Sequence, residues 1–98
     1  MNTYMIKIDL PQELDDDFLS LIPSQRVHIH ELMAKNVIIS YALAADRSKL
    51  WVVVSARNTA EVRDILQTFP LYRYIKGEIS HLAFHEHVAF QMPEISLN

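Results

Sequence analysis

Two short stretches of the chain concentrate side chains that could take part in chemistry. Residues 25–30, QRVHIH, bring an amide, a guanidinium and two imidazoles together, and residues 69–87, FPLYRYIKGEISHLAFHEH, hold tyrosines and three further histidines. A guanidinium can bind a carboxylate through two parallel hydrogen bonds, and an imidazole can exchange a proton near neutral pH. The second stretch could therefore be a catalytic rim, a metal site or simply the end of a domain.

The histidines do not form a complete metal-binding pattern. His81, His85 and His87 would share one face of a strand, and His85-x-His87 is a plausible ligand pair. No carboxylate or additional histidine has the spacing that would complete the site. His28 and His30 are two residues apart and cannot face one ligand on a helix. We therefore expect no metal.

Composition narrows the class of protein. A chain of 98 residues, half of them hydrophobic, fits one packed domain. The net charge of −3 and the lack of a basic cluster argue against nucleic acid as a partner. The absence of cysteine excludes disulfides and fits a cytoplasmic location. We see no signal peptide and no apolar stretch long enough to span a bilayer, so no membrane partner is expected.

The first half of the chain predicts a strand followed by a helix. Residues 3–10 alternate between apolar and mixed positions, which is typical of a strand. A helix is predicted from about Asp15 to Lys35, with Pro23 causing a kink or dividing it into two segments. Its apolar stripe contains Gln25 and is otherwise formed by Phe18, Ile22, Ile29, Leu32 and Met33.

The second half predicts a hairpin, a helix and a last strand. Strands at 37–45 and 49–56 are joined through Asp46-Arg47-Ser48, a turn without glycine. A helix over 58–68 precedes a strand over 76–84. The order β-α-β-β-α-β predicts an α+β fold of the ferredoxin-like type, with an antiparallel sheet.

The strand over 49–56 is apolar on both faces. Val52 and Val54 point to one side and Trp51 and Val53 to the other, while two helices can cover only one face of the sheet. We therefore expect a homodimer or a higher homo-oligomer that packs through the sheet. The alternative is a lone amphipathic sheet with one exposed tryptophan.

The run Pro70-Leu71-Tyr72-Arg73-Tyr74 carries a family resemblance. Together with Glu78-Ile79 and Leu82-Ala83-Phe84-His85, it resembles the muconolactone isomerase family, whose members are ferredoxin-like proteins of the dimeric α+β barrel superfamily. The resemblance spans roughly residues 5–85. We therefore assign residues 1–86 to one such domain. Residues 87–98 are predicted to be a C-terminal arm that packs on a neighbouring subunit.

The resemblance implies a proton shift in an unsaturated lactone during the breakdown of aromatic compounds, with no cofactor. The family's glutamate and lysine on the first helix correspond to Gln25 and Arg26. Arg26 can still bind a carboxylate, whereas Gln25 cannot act as a general base. The predicted catalytic residues are Gln25 and Arg26, and the predicted substrate-binding residues are Arg26, His28, Tyr72 and Tyr74.

Three functions remain open at this point. The favoured one is a cofactor-free isomerase-like enzyme acting on a small, anionic, unsaturated or cyclic compound. A small-molecule binding module without catalysis is the alternative, and a cofactor-free monooxygenase rests on fold analogy alone. The same residues also have a purely structural interpretation. Gln25 would then bond to a strand carbonyl, Arg26 would be solvated, and Tyr72 and Tyr74 would pack at a corner.

Overall fold

Four strands and two helices follow one another in the predicted order. A computed structural model describes residues 1–86 of the chain. The elements are β1 (Asn2–Asp9), α1 (Asp16–Ala34), β2 (Ile38–Leu43), β3 (Lys49–Ala56), α2 (Thr59–Gln67), a short 3-10 turn (Tyr72–Tyr74) and β4 (Lys76–Leu82). The ferredoxin-like α+β prediction is confirmed, with element ends that differ from the expected ones by a residue or two.

The sheet has the strand order β2-β3-β1-β4, and every neighbouring pair is antiparallel. Ile6 of the central strand β1 lies opposite Val52 of β3 and Ile79 of β4, so these three residues share a face. Both helices pack on this face, where Ile6 and Val52 join Ile29 of α1 and Val62 of α2 in one buried core. The alternation in β1 thus decides which face the helices cover.

Helix α1 is a single helix although it contains a proline. The Asp15 carboxylate accepts a hydrogen bond from the Phe18 backbone N–H at 2.7 Å and caps the helix start. Pro23 lies inside the helix on its exposed side. Of the two expected alternatives, division into two segments is wrong, and a kink at Pro23 stays a prediction. The lost hydrogen bond is local, while Phe18 before the proline and Ile29 after it are both buried.

The end of α1 explains how the chain turns into β2. Asn36 adopts a left-handed backbone conformation with φ of 60°, which asparagine tolerates better than most residues. The backbone N–H of Val37 then donates to the Leu32 carbonyl at 2.9 Å, and the N–H of Asn36 donates to the Met33 carbonyl at 3.0 Å. These two bonds form a Schellman motif, which ends the helix and directs residue 38 into the sheet.

The hairpin between β2 and β3 closes without glycine, as the sequence requires. Arg47 takes the left-handed conformation, with φ of 64°. The Asp46 carboxylate accepts hydrogen bonds from the Ser48 backbone N–H at 3.0 Å and from its hydroxyl at 2.7 Å. These bonds hold the turn and offset the cost of a left-handed arginine. The predicted hairpin is therefore present.

Helix α2 begins with a double cap. The Asn58 side-chain oxygen accepts from the Glu61 backbone N–H at 2.9 Å, and the Glu61 carboxylate accepts from the Arg57 backbone N–H at 2.9 Å. The Arg57 guanidinium also lies 2.9 Å from that carboxylate. The reciprocal bonds resemble a capping box and fix the point at which the chain leaves β3 for α2.

The sheet face opposite the helices carries an apolar centre. Val53 of β3 lies between Met5 of β1 and Ser40 of β2, and Trp51 lies between Lys7 and Ala42. Val53 is 4% exposed although neither helix covers this face. The prediction that β3 has two apolar faces thus agrees with the strand register. Pairing with a second chain stays a prediction.

The sheet face that the helices do not cover, called the open sheet face below, also carries a row of charged residues at one end. The Lys49 ammonium lies 2.7 Å from the Asp9 carboxylate, and its hydrogen bond lowers the pKa of Asp9 below the ordinary value. Lys7 and Glu78 are cross-strand partners in the same region.

In residues 1–86, neither helix is both long and apolar enough to span a membrane. The predicted arm over 87–98 lies outside the described residues.

Candidate functional site

One side of α1 packs against residues 68–74, the segment that follows α2. Near the start of α1, the Phe18 ring meets the Tyr74 ring edge-on, with 5.3 Å between the ring centroids. Further along the helix, His28 Nε2 lies 2.7 Å from Thr68 Oγ1. The fold thus brings together the two sequence stretches that hold the predicted site residues.

Gln25 lies between these two contacts and is largely buried, with 8% of its surface exposed. Its Oε1 accepts a hydrogen bond from the Leu71 backbone N–H at 3.1 Å. Leu71 is itself buried and belongs to the Pro-Leu-Tyr-Arg-Tyr run. The amide therefore fixes the segment that carries Tyr72 and Tyr74 against α1, and it bonds to a turn rather than to a strand carbonyl.

The neighbours of His28 determine its tautomer. The Thr68 hydroxyl donates its hydrogen to the Ile65 carbonyl at 2.6 Å, so it can only accept from the imidazole. His28 Nε2 therefore carries a proton, and Nδ1 is the acceptor atom of the neutral ring. The Glu31 carboxylate lies 3.7 Å from Nδ1.

The surroundings of His28 leave it partly accessible. The Phe69 ring packs edge-on against the imidazole at a centroid distance of 6.0 Å. About a quarter of the His28 side chain, 24%, remains exposed. The imidazole is thus held by protein contacts and can still meet a molecule from solution, which suits a residue that binds a ligand or exchanges a proton.

Arg26 follows Gln25 on α1 and faces solvent. Within residues 1–86 its guanidinium has no hydrogen bond and no ion pair. A guanidinium with all its donors available can bind a carboxylate or a phosphate in a bidentate manner. The helix therefore presents an exposed cation at the residue that follows the buried amide.

The two predicted tyrosines differ in their surroundings. Tyr72 is exposed, whereas Tyr74 is half-buried against Phe18. The Arg73 guanidinium donates a hydrogen bond to the Tyr74 hydroxyl at 2.8 Å and lies 4.8 Å from the centre of its ring. This bond, aided by the nearby Asp17, raises the pKa of Arg73 above its ordinary value.

Sequence reasoning missed three contributors to this cluster. Arg73 stands inside the quoted Pro-Leu-Tyr-Arg-Tyr run, so its adjacency to Tyr74 was a signal that could have found it. Thr68 and the Leu71 backbone had no such signal, since their partners lie on another helix. Of the predicted site residues, Gln25, His28 and Tyr74 contact the 68–74 segment or α1, while Arg26 and Tyr72 extend from the same elements towards solvent.

Two surface depressions lie away from this cluster. The larger, of about 470 Å³, is at the start of β1 and the end of β4 and is lined by Met1, Asn2, Thr3, His81, Leu82 and Ala83. The other, of about 260 Å³, lies among the charged side chains of the open sheet face. The His81 ring stacks on buried Tyr4 at a centroid distance of 4.8 Å. In the described part of the chain, no three histidine or acidic side chains converge as metal ligands would.

Comparison with known proteins gives a structural match. No protein-family model matches the sequence, and no curated protein is similar to it at a significant level. Among solved structures, the crystal structure of muconolactone isomerase is similar, with a TM-score of 0.70 and 17% sequence identity. The match covers 91% of this chain and 96% of the other. The chain thus has a muconolactone isomerase-like fold, as the Pro-Leu-Tyr-Arg-Tyr run suggested.

Proposed function

We propose that the protein is a cofactor-free enzyme that shifts a proton within a small, anionic, unsaturated or cyclic compound. The observation that carries this proposal is the packing of α1 on residues 68–74, which gathers Gln25, His28 and Tyr74 into one cluster. Arg26 follows Gln25 on the helix and leaves it in another direction, so only its long, exposed side chain can bend towards the same ligand. These groups supply a cation, hydrogen-bond donors and a proton carrier, which are what such a reaction needs. The muconolactone isomerase-like fold supports the reaction class.

Each residue has a role in this proposal. Arg26 binds the carboxylate of the substrate, since its guanidinium is exposed and free of protein partners within residues 1–86. His28 takes the proton at Nδ1, the bare nitrogen of its neutral ring, and returns it to another carbon. Tyr72 and Tyr74 border the ligand on the 68–74 side.

A second candidate is a binding module that uses the same surface without catalysis. The observation that favours it is the state of Gln25, whose Oε1 is engaged by the Leu71 backbone N–H. An amide cannot remove a proton from carbon, so any catalysis depends on another group. If His28 does not exchange a proton with the ligand, the site retains recognition alone.

We also propose that the protein assembles as a homodimer or a larger homo-oligomer through the open sheet face. Val53 and Trp51 give that face an apolar centre that the helices do not cover. The row of Lys7, Asp9 and Glu78 beside it carries both signs of charge, so a two-fold related copy can match it. No nucleic acid or membrane partner is proposed.

Ultraviolet absorbance of muconolactone, followed with and without oxygen, tests the proposed activity. We expect the absorbance to change at the same rate in both conditions, because a proton shift consumes no oxygen. A change that requires oxygen would favour a monooxygenase. No change, combined with saturable binding in titration calorimetry, would identify a binding module. His28→Gln separates the roles of the imidazole, since it should abolish turnover while retaining a hydrogen-bonding side chain.

A further inference from the structure

Only one of the two polar atoms of the buried Gln25 amide has a hydrogen-bond partner within residues 1–86. The Leu71 backbone N–H can only donate, so the atom that faces it at 3.1 Å must be Oε1. This assigns the orientation of the amide, because a flipped side chain would place two donors against each other. Nε2 then has no hydrogen-bond partner within residues 1–86.

An unpaired donor in this position is costly. The residue is 8% exposed, and a buried polar group without a partner loses its hydrogen bond to water without gaining another. Buried side-chain amides usually have partners for both atoms, and an orphaned one calls for an explanation. Since Nε2 can only donate, whatever completes its bonding must present an acceptor.

We propose that Gln25 Nε2 donates a hydrogen bond to a carbonyl oxygen of the small-molecule ligand. This inference rests on the proposed function and specifies its ligand class: a carboxylate for Arg26 and, next to it, a carbonyl for Gln25. A ligand that offers only a donor at that position, such as an amine, would leave two donors facing each other and would be rejected.

The same contact gives Gln25 a part in the proposed reaction. When a proton leaves the carbon next to the carbonyl for His28 Nδ1, the electron pair of the C–H bond moves onto the carbonyl oxygen. The Nε2–H bond strengthens as negative charge develops on that oxygen. The return of the proton to a more distant carbon restores the carbonyl. Gln25 thus acts as a donor to an enolate.

Two substitutions distinguish the role of the Gln25 Nε2 donor from that of the hydrogen bond between Oε1 and the Leu71 backbone N–H. Gln25→Glu keeps an acceptor for the Leu71 N–H and removes the Nε2 donor, whereas Gln25→Met removes both. Hydrogen exchange of the Leu71 amide reports the hydrogen bond between Leu71 and residue 25. Calorimetric affinity reports the contribution of the Nε2 donor to ligand binding. The probes are a saturated γ-lactone acetate and its neutral methyl ester, measured at pH 8 so that the new carboxyl is more fully ionised. The ester shows whether charge repulsion in Gln25→Glu explains any loss.

We expect both variants to bind both probes about tenfold or more weakly than the native protein. Leu71 amide protection should persist in Gln25→Glu and fall in Gln25→Met. A third comparison needs no substitution. The native protein should bind the γ-lactone acetate about tenfold more tightly than the cyclic ether acetate that lacks only the carbonyl.

The outcomes also separate this inference from the function on which it rests. Equal affinity of the native protein for the lactone and the ether, or affinities in both variants within twofold of native, would overturn the role of Gln25 alone. In that case Arg26→Ala would still weaken binding of the acetate. If the native protein bound neither probe, or if Arg26→Ala left affinity unchanged, the proposed site itself would be wrong.

Discussion

His28 and Thr68 are joined by a 2.7 Å hydrogen bond between Nε2 and Oγ1 that connects the middle of α1 to the end of α2. The Thr68 hydroxyl donates in turn to the Ile65 carbonyl in the last turn of α2. The same hydroxyl therefore bonds both to the end of α2 and to the imidazole. One hydroxyl therefore fixes both the position of His28 and the nitrogen that carries its proton.

Replacing this hydroxyl should release the imidazole. Thr68→Val keeps the shape of the side chain but removes the acceptor, so the free energy of unfolding should fall by about 1 kcal/mol. Nitrogen chemical shifts of His28 should change from one dominant neutral tautomer to a mixture. Thr68→Ser is the matched control and should retain the single tautomer. An unchanged tautomer in Thr68→Val would mean that another group orients the ring.

Removal of the exposed guanidinium should weaken the binding of anions. Arg26→Ala should reduce the affinity for a small carboxylate ligand by about 1.5–3 kcal/mol, as for a lost charged hydrogen bond. Arg63→Ala, on the exposed surface of α2, is the control and should leave affinity unchanged. Equal titration curves for Arg26→Ala and the native protein would exclude Arg26 from the site.

The open sheet face should be buried by a second chain. Sedimentation at micromolar concentration should show a dimer or a multiple of it, and iodide should quench Trp51 fluorescence poorly. Trp51→Glu should shift the equilibrium towards monomer, because a charge would enter an apolar interface. Val27→Glu on the exposed side of α1 serves as the control. A native monomer with freely quenched Trp51 would contradict the proposed assembly.

The Glu61 carboxylate at the start of α2 should make the free energy of unfolding depend on pH in the acidic range. The backbone N–H and guanidinium of Arg57 lower the pKa of Glu61 below its ordinary value of 4.5. A carboxylate with a lowered pKa stabilises the folded state above the pKa of the unfolded chain, and this contribution disappears as the pH falls through the folded-state pKa. Native protein should therefore exceed Glu61→Gln in unfolding free energy at neutral pH, with a gap that closes on acidification.

Glu13→Gln provides the reference for that measurement. Glu13 is exposed and has no hydrogen bond or ion pair in the described part of the chain. Chemical denaturation of the three proteins across acidic pH should show a pH-dependent gap only for Glu61→Gln. A gap that stays constant down to the most acidic conditions would mean that the Glu61 carboxylate contributes through shape rather than charge.

The sheet and its covered face could be predicted because their information is local. Alternation in residues 3–10 places Ile6 and Ile8 on one side, and both are fully buried. Tyr41 shows where local information ends. It stands in an apolar strand pattern, which predicts a core position, yet it is 42% exposed because β2 is an edge strand. Strand order depends on pairings between distant segments, which alternation does not encode.

The candidate site was predictable only in part, for a similar reason. Spacing on α1 placed Gln25 in the apolar stripe, and its burial follows from that position. Its partner is a backbone N–H 46 residues away, and every residue except proline has such a group. The continuity of α1 through Pro23 was equally hidden, because the packing on both sides of the proline comes from the completed sheet.

The strand order also has a consequence for how the chain folds during synthesis. Among the four strands of residues 1–86, β1 is synthesised before the others, yet it lies inside the sheet, and its Thr3 pairs with Leu82 of β4, the last of these four. Until β4 leaves the ribosome, one edge of β1 remains unpaired and apolar side chains such as Ile6 lack part of their cover. Sheets that depend on such distant pairings fold slowly, and their unpaired strand edges are prone to aggregation until pairing is complete. We therefore expect the nascent chain to be most vulnerable to aggregation just before β4 pairs with β1.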